Sequence, residues 1–381
     1  MIIGLDANIY SYPKTGCAVY AHNLIQSLRA LSEQDLFKFY SFGFLKKIPH
    51  GACFEIAKHP LNRIYPIIKI PRPLLYLMWK YINRPELESI IGDVDIVHGL
   101  TIWIPATSKA KKIVTIYDLT PLTHPQAHKT ADRLKFSKLI NHAIKTSDAI
   151  LTISESTKND LINYLGIKKN KITVTYIGID HNVYKNINDF KYVEKVKLKY
   201  SISKRYLYYL GTIEPRKNVD VLLKAFLTVK EKTGADFQLV ISGMVGWMVD
   251  DLMETIFSYM ASGDLIYTGF IDNDEAVALY NGATVFVYPS QYEGFGIPVA
   301  EAMACGCPVI TSDSSSLPEV VGGAGLLVEP NNSEALADAM LKVLNSSDLQ
   351  ISMRDKGLER AKKFNWMNAA QITKKVYEQL L

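Results

Sequence analysis

The sequence predicts an α/β protein with two domains, each built around a parallel β-sheet. Short apolar runs alternate with amphipathic helical patterns along the whole chain, which is typical of repeated βαβ units. A chain of 381 residues is too long for one ordinary hydrophobic core. Its 48% hydrophobic and 21% charged residues argue against wholesale disorder and against a polytopic membrane protein.

Each half of the chain has its own set of strand candidates. In the first half they are residues 2–6, 37–42, 96–98, 113–117, 149–154 and 172–176. In the second half they are residues 206–210, 238–242, 265–268, 285–288, 309–311 and 325–328. Two similar sets predict two Rossmann-like domains.

A polar stretch separates the two sets. It contains several Asn and Lys residues but no long apolar run, so we expect a linker at 183–199. The first domain then covers residues 1–182 and the second covers residues 200–364. Beyond Phe364, an amphipathic pattern predicts a helix within 365–381 that returns to the first domain.

The charge is distributed unevenly. Residues 1–187 contain 24 basic and 14 acidic side chains, a net +10, although the whole chain carries only +5. The first half is therefore expected to attract anions. No recognised nucleic-acid motif accompanies these charges, and an anionic membrane surface or a pyrophosphate-lipid acceptor fits them as well.

The four cysteines are too few and too scattered for a disulfide framework. They are Cys17, Cys53, Cys305 and Cys307, and we expect free thiols in a reducing compartment. The N-terminus reads as a short strand and lacks the basic start and long apolar stretch of a signal peptide. We expect a cytoplasmic protein.

One basic and aromatic segment could lie on a membrane. Within 65–84, the cations Lys69, Arg72, Lys80 and Arg84 interleave with apolar and aromatic side chains, and prolines interrupt the run. The segment does not span a bilayer but could lie on its inner face as a peripheral contact. The alternative is that its apolar groups line the domain core or the acceptor cleft.

The segment 292–306 has the strongest chemical signal. It follows an apolar strand, and Pro298 marks the start of a helix. Gly294 and Gly296 allow a ligand to approach the backbone closely. Free N–H groups around 297–300 are expected to receive a diphosphate.

Two carboxylates, Glu293 and Glu301, bracket this helix start. Taken singly, the glycines fit a plain turn and Glu301 fits an acid that favours a helix N-terminus. Their combination with the other segments favours an anion-binding site.

A second segment, 209–218, follows the first strand of the second domain. Gly211 permits a tight exit from the strand, and Arg216 and Lys217 present two cations. Fixed cations stabilise a leaving nucleoside diphosphate as it gains negative charge. The alternative is a solvated basic turn.

These segments resemble the family 4 retaining glycosyltransferases. The Glu293 to Glu301 spacing is similar to the family's Glu-x7-Glu signature, and 308–312, 317–320 and 209–218 also match. The resemblance implies the GT-B fold, in which two Rossmann-like domains face each other across a cleft. It also implies that Glu301 holds the donor ribose and that Glu293 lies against the donor sugar. Sugar and phosphate would contact the backbone of Gly294, Phe295, Gly296, Ile297, Pro298 and Val299.

The first half departs from the family pattern at two places. In 15–20 the family's second Gly is replaced by Ala18 and its Arg by Val19, although Gly16 is kept and can approach donor phosphate or acceptor. At Tyr117 most relatives have His, which reaches the donor sugar. The following Asp118 matches and shapes the acceptor side or caps a helix.

The resemblance favours a front-face mechanism, in which the leaving phosphate helps to deprotonate the acceptor, and gives Glu293 a positioning and electrostatic role. No metal and no other cofactor is expected. Asp93 and Asp95, and likewise Asp272 and Asp274, are interpreted as caps or turns although their spacing superficially matches an Asp-x-Asp metal motif.

The expected reaction is transfer of mannose from GDP-mannose to a lipid-linked or oligosaccharide acceptor in surface polysaccharide or glycolipid synthesis. This expectation rests on resemblance to bacterial mannosyltransferases in the opening Leu5-Asp6-Ala7 and the Gly16 loop. A UDP- or dTDP-sugar donor stays open. So do a GT-B-type epimerase or phosphorylase and a non-catalytic nucleotide-sugar-binding protein, whereas a dinucleotide oxidoreductase lacks the Gly-rich motif after its first strand.

Overall fold

A computed structural model describes residues 1–11, 16–42, 63–64, 70–187, 189–234 and 236–381. The chain divides into two compact units. The first unit comprises Met1–Gly178 and Asn365–Leu381, and the second comprises Ile179–Phe364. Of the features singled out in the sequence, Thr15, Cys53 and residues 65–69, with Lys69, lie outside the described residues, as does the side chain of Arg72.

In the described residues the first unit contains a seven-stranded parallel sheet with the order β3-β2-β1-β4-β5-β6-β7. Its strands are β1 (Ile2–Asp6), β2 (Leu36–Tyr40), β3 (Arg63–Ile64), β4 (Ile96–Gly99), β5 (Lys111–Ile116), β6 (Ala149–Thr152) and β7 (Ile172–Val174). Six of them overlap the predicted strands, whereas β3 was not predicted. The reversal of strand order at β1 is that of a doubly wound α/β domain.

Helices connect these parallel strands. The α-helices are Gly16–Leu31, Arg72–Tyr81, Glu88–Ile91, Thr120–Thr123, Thr130–Thr146, Glu155–Leu165 and Trp366–Leu380. Short 3-10 helices are Ala7–Ser11, Pro125–Ala127 and Lys169–Lys171. The strands are apolar along most of their length because helices cover both faces of a parallel sheet.

The second unit repeats the same plan. Its six parallel strands have the order β10-β9-β8-β11-β12-β13. They are β8 (Arg205–Leu210), β9 (Phe237–Ser242), β10 (Leu265–Gly269), β11 (Val285–Tyr288), β12 (Val309–Ser312) and β13 (Leu326–Val328). Each overlaps a predicted strand, so the prediction of two Rossmann-like domains is confirmed.

The α-helices of the second unit are Phe190–Lys199, Val219–Thr233, Asp250–Met260, Asn273–Gly282, Ile297–Ala304, Leu317–Val321, Ser333–Leu344 and Ser347–Ala361, with a 3-10 helix at Pro215–Lys217. No helix in the described part of the chain is both long and apolar enough to cross a membrane.

Residues 183–199, predicted as a linker, belong to the second unit and contain the helix Phe190–Lys199. Asp189 caps it by accepting a hydrogen bond from the Tyr192 amide at 3.1 Å. Val193 and Val196 are buried on one side. Two buried valines on an otherwise polar helix are too weak a pattern for the sequence to distinguish this helix from a linker.

The final helix, Trp366–Leu380, belongs to the first unit. The backbone of Gly178 approaches that of Trp366 so closely that a Cβ at position 178 would lie 2.3 Å from the Trp366 nitrogen. The buried Tyr377 hydroxyl lies 2.6 Å from His98 Nδ1, and His98 Nε2 lies 2.7 Å from Thr115 Oγ1. This network joins the helix to β4 and β5.

The stability of the first unit is predicted to fall in acid because of His98. Burial lowers the pKa of His98 from 6.5 to about 3. The unfolded chain therefore binds a proton that the folded chain excludes, so stability is complete above pH 6.5 and is lost progressively toward pH 3. The change His98→Gln should reduce this pH dependence, measured by denaturant unfolding followed through the fluorescence of Trp79, Trp103 and Trp366.

The control is His22→Gln, at a half-buried position on Gly16–Leu31. It should keep the wild-type pH dependence. Equal slopes for wild type and His98→Gln would contradict the assignment.

Candidate functional site

The candidate site lies at the carboxyl edge of the second sheet. Three loops meet there: 211–218 after β8, 289–296 after β11 and 313–316 after β12. In doubly wound domains this edge binds ligands because helix N-termini and loop amides point outward.

The loop after β8 is fixed by close backbone contacts. The amide of Gly211 donates to the Ser242 carbonyl at 3.0 Å, and that of Ile213 donates to the Met244 carbonyl at 2.9 Å. A Cβ on Gly243 would lie 1.9 Å from the Gly211 oxygen. The contact leaves no room for a side chain, so the strand exit predicted at Gly211 is held against the loop after β9.

Arg216 and Lys217 both pair with Glu293. Lys217 Nζ lies 2.5 Å from Glu293 Oε1, and Arg216 Nη1 lies 3.1 Å from Glu293 Oε2. Glu293 Oε1 also accepts hydrogen bonds from Ser290 Oγ at 2.6 Å and from the Tyr288 hydroxyl at 3.0 Å. We call these five residues, Glu293, Arg216, Lys217, Tyr288 and Ser290, the Glu293 cluster.

Further contacts hold the guanidinium of Arg216. Its Nη2 lies 2.6 Å from Glu214 Oε1, and its Nη1 donates to the Tyr292 carbonyl. Glu293 and Lys217 are each 8% exposed, and Glu214 is 4% exposed. Burial at this level makes pairing obligatory, because an unpaired charge there would carry a large desolvation penalty.

The electrostatic balance keeps Glu293 ionised. Burial on its own raises the pKa of Glu293, but the charges of Arg216 and Lys217 and the hydrogen bonds from Lys217 and Ser290 outweigh it and hold the pKa at about 2. Burial lowers the pKa of Lys217, and the Glu293 charge opposes that shift. The cluster is thus a preorganised set of charges, with opposite signs held at fixed distances.

Three serines support the loop and were missed by sequence reasoning. Ser314 Oγ donates to the Gln291 carbonyl at 2.8 Å, and Ser315 Oγ accepts from the Glu293 amide at 2.9 Å. Ser316 Oγ donates to the carbonyls of Glu293 at 2.9 Å and Phe295 at 2.8 Å. The run of serines directly after a buried strand was the signal available in the sequence.

The helix Ile297–Ala304 begins at Gly296, as predicted from Pro298. Gly296 has φ of 98°, and a Cβ there would meet Leu317 at 2.7 Å. The expectation of free amides at 297–300 is corrected. Pro298 has no N–H, and the amides of Val299 and Ala300 donate to the Gly296 carbonyl at 3.0 and 3.3 Å.

The other residues whose backbone was predicted to contact sugar and phosphate lie in or next to this turn. Gly294 and Phe295 are buried, and the Phe295 ring packs edge-on against Phe364 with centroids 5.2 Å apart. Phe295 therefore serves the core through its side chain. Ile297 is half buried, at the first position of the helix.

Glu301 has a different environment from Glu293. Its Oε2 accepts a hydrogen bond from the Tyr280 hydroxyl at 3.3 Å, and the Tyr184 side chain lies near its carboxyl group, against the Tyr280 ring. Burial raises the pKa of Glu301 to about 8, although the two tyrosines lower it. Sequence reasoning missed Tyr184 because it lies in the segment predicted as a linker. It missed Tyr280 because that residue lies on a separate helix, Asn273–Gly282.

The first unit contains the two remaining site candidates, Gly16 and Asp118. Gly16 is the exposed first residue of Gly16–Leu31. Asp118 Oδ1 accepts from the Thr120 amide at 2.9 Å, but the residue at the cap position of Thr120–Thr123 is Leu119, so Asp118 stabilises the turn before that helix and does not occupy its cap position. Burial, with the Asp118 charge, raises the pKa of the neighbouring Cys17 thiol to about 12.

Tyr117 uses both of its polar groups within the first unit. Its hydroxyl donates to the Leu100 carbonyl at 2.9 Å, and its carbonyl accepts from Thr157 Oγ1 at 3.1 Å. The residue in place of the family's His therefore ties β5 to the loop after β4 and to the helix Glu155–Leu165.

The two Asp-x-Asp sequences stabilise backbone. Asp95 Oδ2 accepts from the Ile2 amide at 2.7 Å, and Asp272 caps Asn273–Gly282 by accepting from the Glu275 amide at 2.9 Å. Within the described residues, no three His, Cys, Asp or Glu side chains are grouped as metal ligands would be.

Two doubly wound sheets in one chain, with a charge cluster at the carboxyl edge of the second, define the GT-B fold of glycosyltransferases. Sucrose-phosphate synthase from Thermosynechococcus elongatus has this fold, with a TM-score of 0.76 at 20% identity over 100% of this chain and 99% of that chain. Anabaena Alr3699/HepE, solved in complex with UDP-glucose, has a TM-score of 0.74 at 16% identity over 99% of both chains.

The family follows from sequence comparison. The profile described as Glycosyltransferase Family 4 matches residues 15–183, and that described as Glycosyl transferases group 1 matches residues 193–363. The chain belongs to the family 4 glycosyltransferases. An O-antigen chain mannosyltransferase B from Escherichia coli is 29% identical over 378 residues, 97% of each protein. The predicted family and the prediction of a glycosyltransferase are confirmed.

Removing the charge of Glu293 is predicted to destabilise the second unit. Glu293→Gln leaves two buried cations without their carboxylate, and breaking a buried pair in this way costs about 3 kcal/mol or more. Stability should be compared at neutral pH by denaturant unfolding followed by circular dichroism. In wild type this contribution should be complete above pH 4.5 and fade toward pH 2, as Glu293 takes up its proton.

Glu359→Gln is the matched control, because Glu359 pairs with Lys362 and the two side chains are 74% and 70% exposed. Its loss should leave the stability nearly unchanged. An equal, small effect of both changes would contradict the structural role of the cluster.

Proposed function

We propose that this glycosyltransferase moves mannose from GDP-mannose, with retention at the anomeric carbon, onto a lipid-linked or oligosaccharide acceptor of surface polysaccharide or glycolipid synthesis. Mannose as the transferred sugar is supported by the 29% identical relative named as an O-antigen chain mannosyltransferase. The transfer chemistry is supported by the Glu293 cluster, which holds two cations at the sheet edge where such domains bind phosphates.

Arg216 and Lys217 would stabilise the leaving group. When the bond from the sugar C1 to the phosphate oxygen breaks, its electron pair goes to the nucleoside diphosphate. Cations already fixed by Glu293 interact more strongly with this developing charge than with the donor, and they do not need to reorganise. Their low exposure strengthens the interaction.

Glu293 would position these cations and would not act as a nucleophile. Its Oε1 accepts three hydrogen bonds, and its Oε2 faces Arg216. A carboxylate stabilised in this way is a poor nucleophile because its negative charge is already neutralised. In the front-face route the acceptor hydroxyl attacks C1 on the side that the phosphate leaves, and its proton passes to a phosphate oxygen.

Glu301 would hold the donor ribose, and Asp118 and Gly16 would help to shape the acceptor side. The Glu301 assignment is supported by its place eight residues after Glu293, on the helix Ile297–Ala304. Transfer would require no metal, since the two cations supply the positive charge that a metal would otherwise provide. Activity should therefore survive excess EDTA.

The chain would act in the cytoplasm, on the inner face of an anionic membrane. On the helix Arg72–Tyr81, Leu75 and Trp79 are buried, whereas Leu74, Leu77 and Tyr81 are 50%, 48% and 71% exposed. Residues i, i+3 and i+7 share one helix face, so the helix has a second apolar face that is solvent-accessible. The net +10 of residues 1–187 complements anionic lipid.

The donor proposal is tested first by binding and then by transfer. At 100 times its Kd, GDP should raise the free energy of unfolding by about 2.7 kcal/mol relative to the unliganded protein. UDP and dTDP should raise it less at the same concentration. Transfer from GDP-mannose to a mannose-terminated acceptor should give a product whose NMR coupling shows the donor's anomeric configuration. Lys217→Ala should lower kcat/KM at least about tenfold, whereas Lys224→Ala, on the exposed face of Val219–Thr233, should not.

The alternatives give distinct results. A product with inverted configuration would contradict retention, and stabilisation by UDP or dTDP alone would contradict the GDP donor. Donor conversion without acceptor would favour an epimerase. Donor binding without transfer to any acceptor would favour a non-catalytic binder.

Membrane contact is tested by co-sedimentation with vesicles. The protein should bind vesicles that contain phosphatidylglycerol and not vesicles of phosphatidylcholine alone, and binding should weaken with added salt. Leu74→Ser combined with Leu77→Ser should reduce binding at least about fivefold. Leu198→Ser, at a 77% exposed position of the acidic half, is the control. Unchanged binding of the double variant would contradict the proposed face.

A further inference from the structure

The carboxyl group of Glu301 is held by two tyrosines from separate segments. The Tyr280 hydroxyl, from the helix Asn273–Gly282, donates to Oε2 at 3.3 Å, and Tyr184 lies near enough to the same carboxyl group to lower its pKa. The two rings meet edge-on with centroids 6.5 Å apart. The groups around Glu301 are therefore phenol side chains, whereas those around Glu293 are mainly cations.

The backbone that presents Tyr184 is firmly anchored. The amide of Tyr184 donates to the Asp180 carbonyl at 2.8 Å. Asp180 Oδ1 also accepts from the Asn182 amide at 3.0 Å. Together these bonds close a turn that holds the backbone of Tyr184 in place.

The same helix that contributes Tyr280 holds the chain on the other side of Tyr184. Asn281 Nδ2 donates to the Lys185 carbonyl at 3.0 Å, and Asn281 Oδ1 accepts from the Ile187 amide at 2.9 Å. Two consecutive residues of one helix thus bind Glu301 and the segment that carries Tyr184. The helix Asn273–Gly282 therefore holds both tyrosine-bearing segments close to the Glu301 carboxylate.

We propose that Tyr184 and Tyr280 are positioning residues that orient the Glu301 carboxylate for the two ribose hydroxyls of the donor nucleotide. The inference rests on the proposed function, because it takes Glu301 as the ribose ligand. A carboxylate has about four acceptor sites, so two phenolic donors leave sites for a ribose diol. Fixing the rotamer beforehand lowers the entropy lost on binding.

Protonation gives the two tyrosines a second effect. The titratable groups that face Glu301 are Tyr184, Tyr208, Tyr280 and, on its own helix, Cys305. Burial raises the pKa of each of these four, so they stay neutral where Glu301 titrates. The tyrosine bonds lower the pKa of Glu301, whereas burial raises it. Removing one bond should therefore shift its ionisation to higher pH.

The test measures GDP affinity of the full chain by calorimetry across a pH series, with UDP and dTDP if GDP does not bind. Because dTDP lacks the 2′-hydroxyl, binding of dTDP alone would contradict this inference. Hydroxyls bind the ionised carboxylate more strongly than the neutral acid, so the Glu301 contribution should rise with pH around 8 in wild type. In Tyr184→Phe, GDP should bind about tenfold more weakly at neutral pH, and the rise should move to higher pH.

The control is Tyr200→Phe, because the Tyr200 hydroxyl donates to Glu275 at 2.8 Å in the same unit and away from Glu301. It should leave GDP affinity and its pH dependence unchanged. Glu301→Gln cannot ionise, so in that background Tyr184→Phe should no longer move the pH profile. Tyr280→Phe should reproduce the shift in the wild-type background, which keeps the test valid if one variant folds poorly.

A nucleotide that lacks one hydroxyl isolates the ribose contact. The penalty of Tyr184→Phe should shrink for 2′-deoxy-GDP relative to GDP, since the carboxylate then has one hydroxyl fewer to bind. Wild type that binds none of the three nucleotides would overturn the proposed function and this inference with it. Wild type that binds, with an unchanged pH profile in both tyrosine variants, would overturn this inference alone.

Discussion

The second unit is organised around one buried carboxylate, that of Glu293. Its charge requires partners because it is 8% exposed, and Arg216 and Lys217 provide them from the loop after another strand. The ion pairs join the loops after β8 and β11, and the serines after β12 complete the connection. The need to pair one buried charge thereby fixes the geometry of the candidate site.

The two carboxylates of the signature have opposite electrostatics although they are close in sequence. Glu293 faces two cations, which hold its pKa at about 2, whereas Glu301 faces tyrosines, and burial raises its pKa to about 8. The first is a permanent charge that orders its neighbours. The second is a group whose ionisation its surroundings control.

The first unit uses the same principle of satisfied burial for stability. His98, Thr115 and Tyr377 form a closed hydrogen-bonded set that connects two strands to the final helix. Tyr117 satisfies both its hydroxyl and its carbonyl locally. The tyrosine in place of the family's His therefore adds a structural tie near the carboxyl edge of this sheet.

The sequence by itself determined the doubly wound sheets and the residues proposed for the site, since apolar runs, glycines and the Glu293 to Glu301 spacing are local patterns. Only the tertiary structure decided which groups meet. It paired Glu293 with cations 76 residues away, placed Tyr184 beside Glu301, and used the amides of Val299 and Ala300 within their own helix. The physical reason is that pairing, burial and pKa depend on distances between segments, which no local pattern encodes.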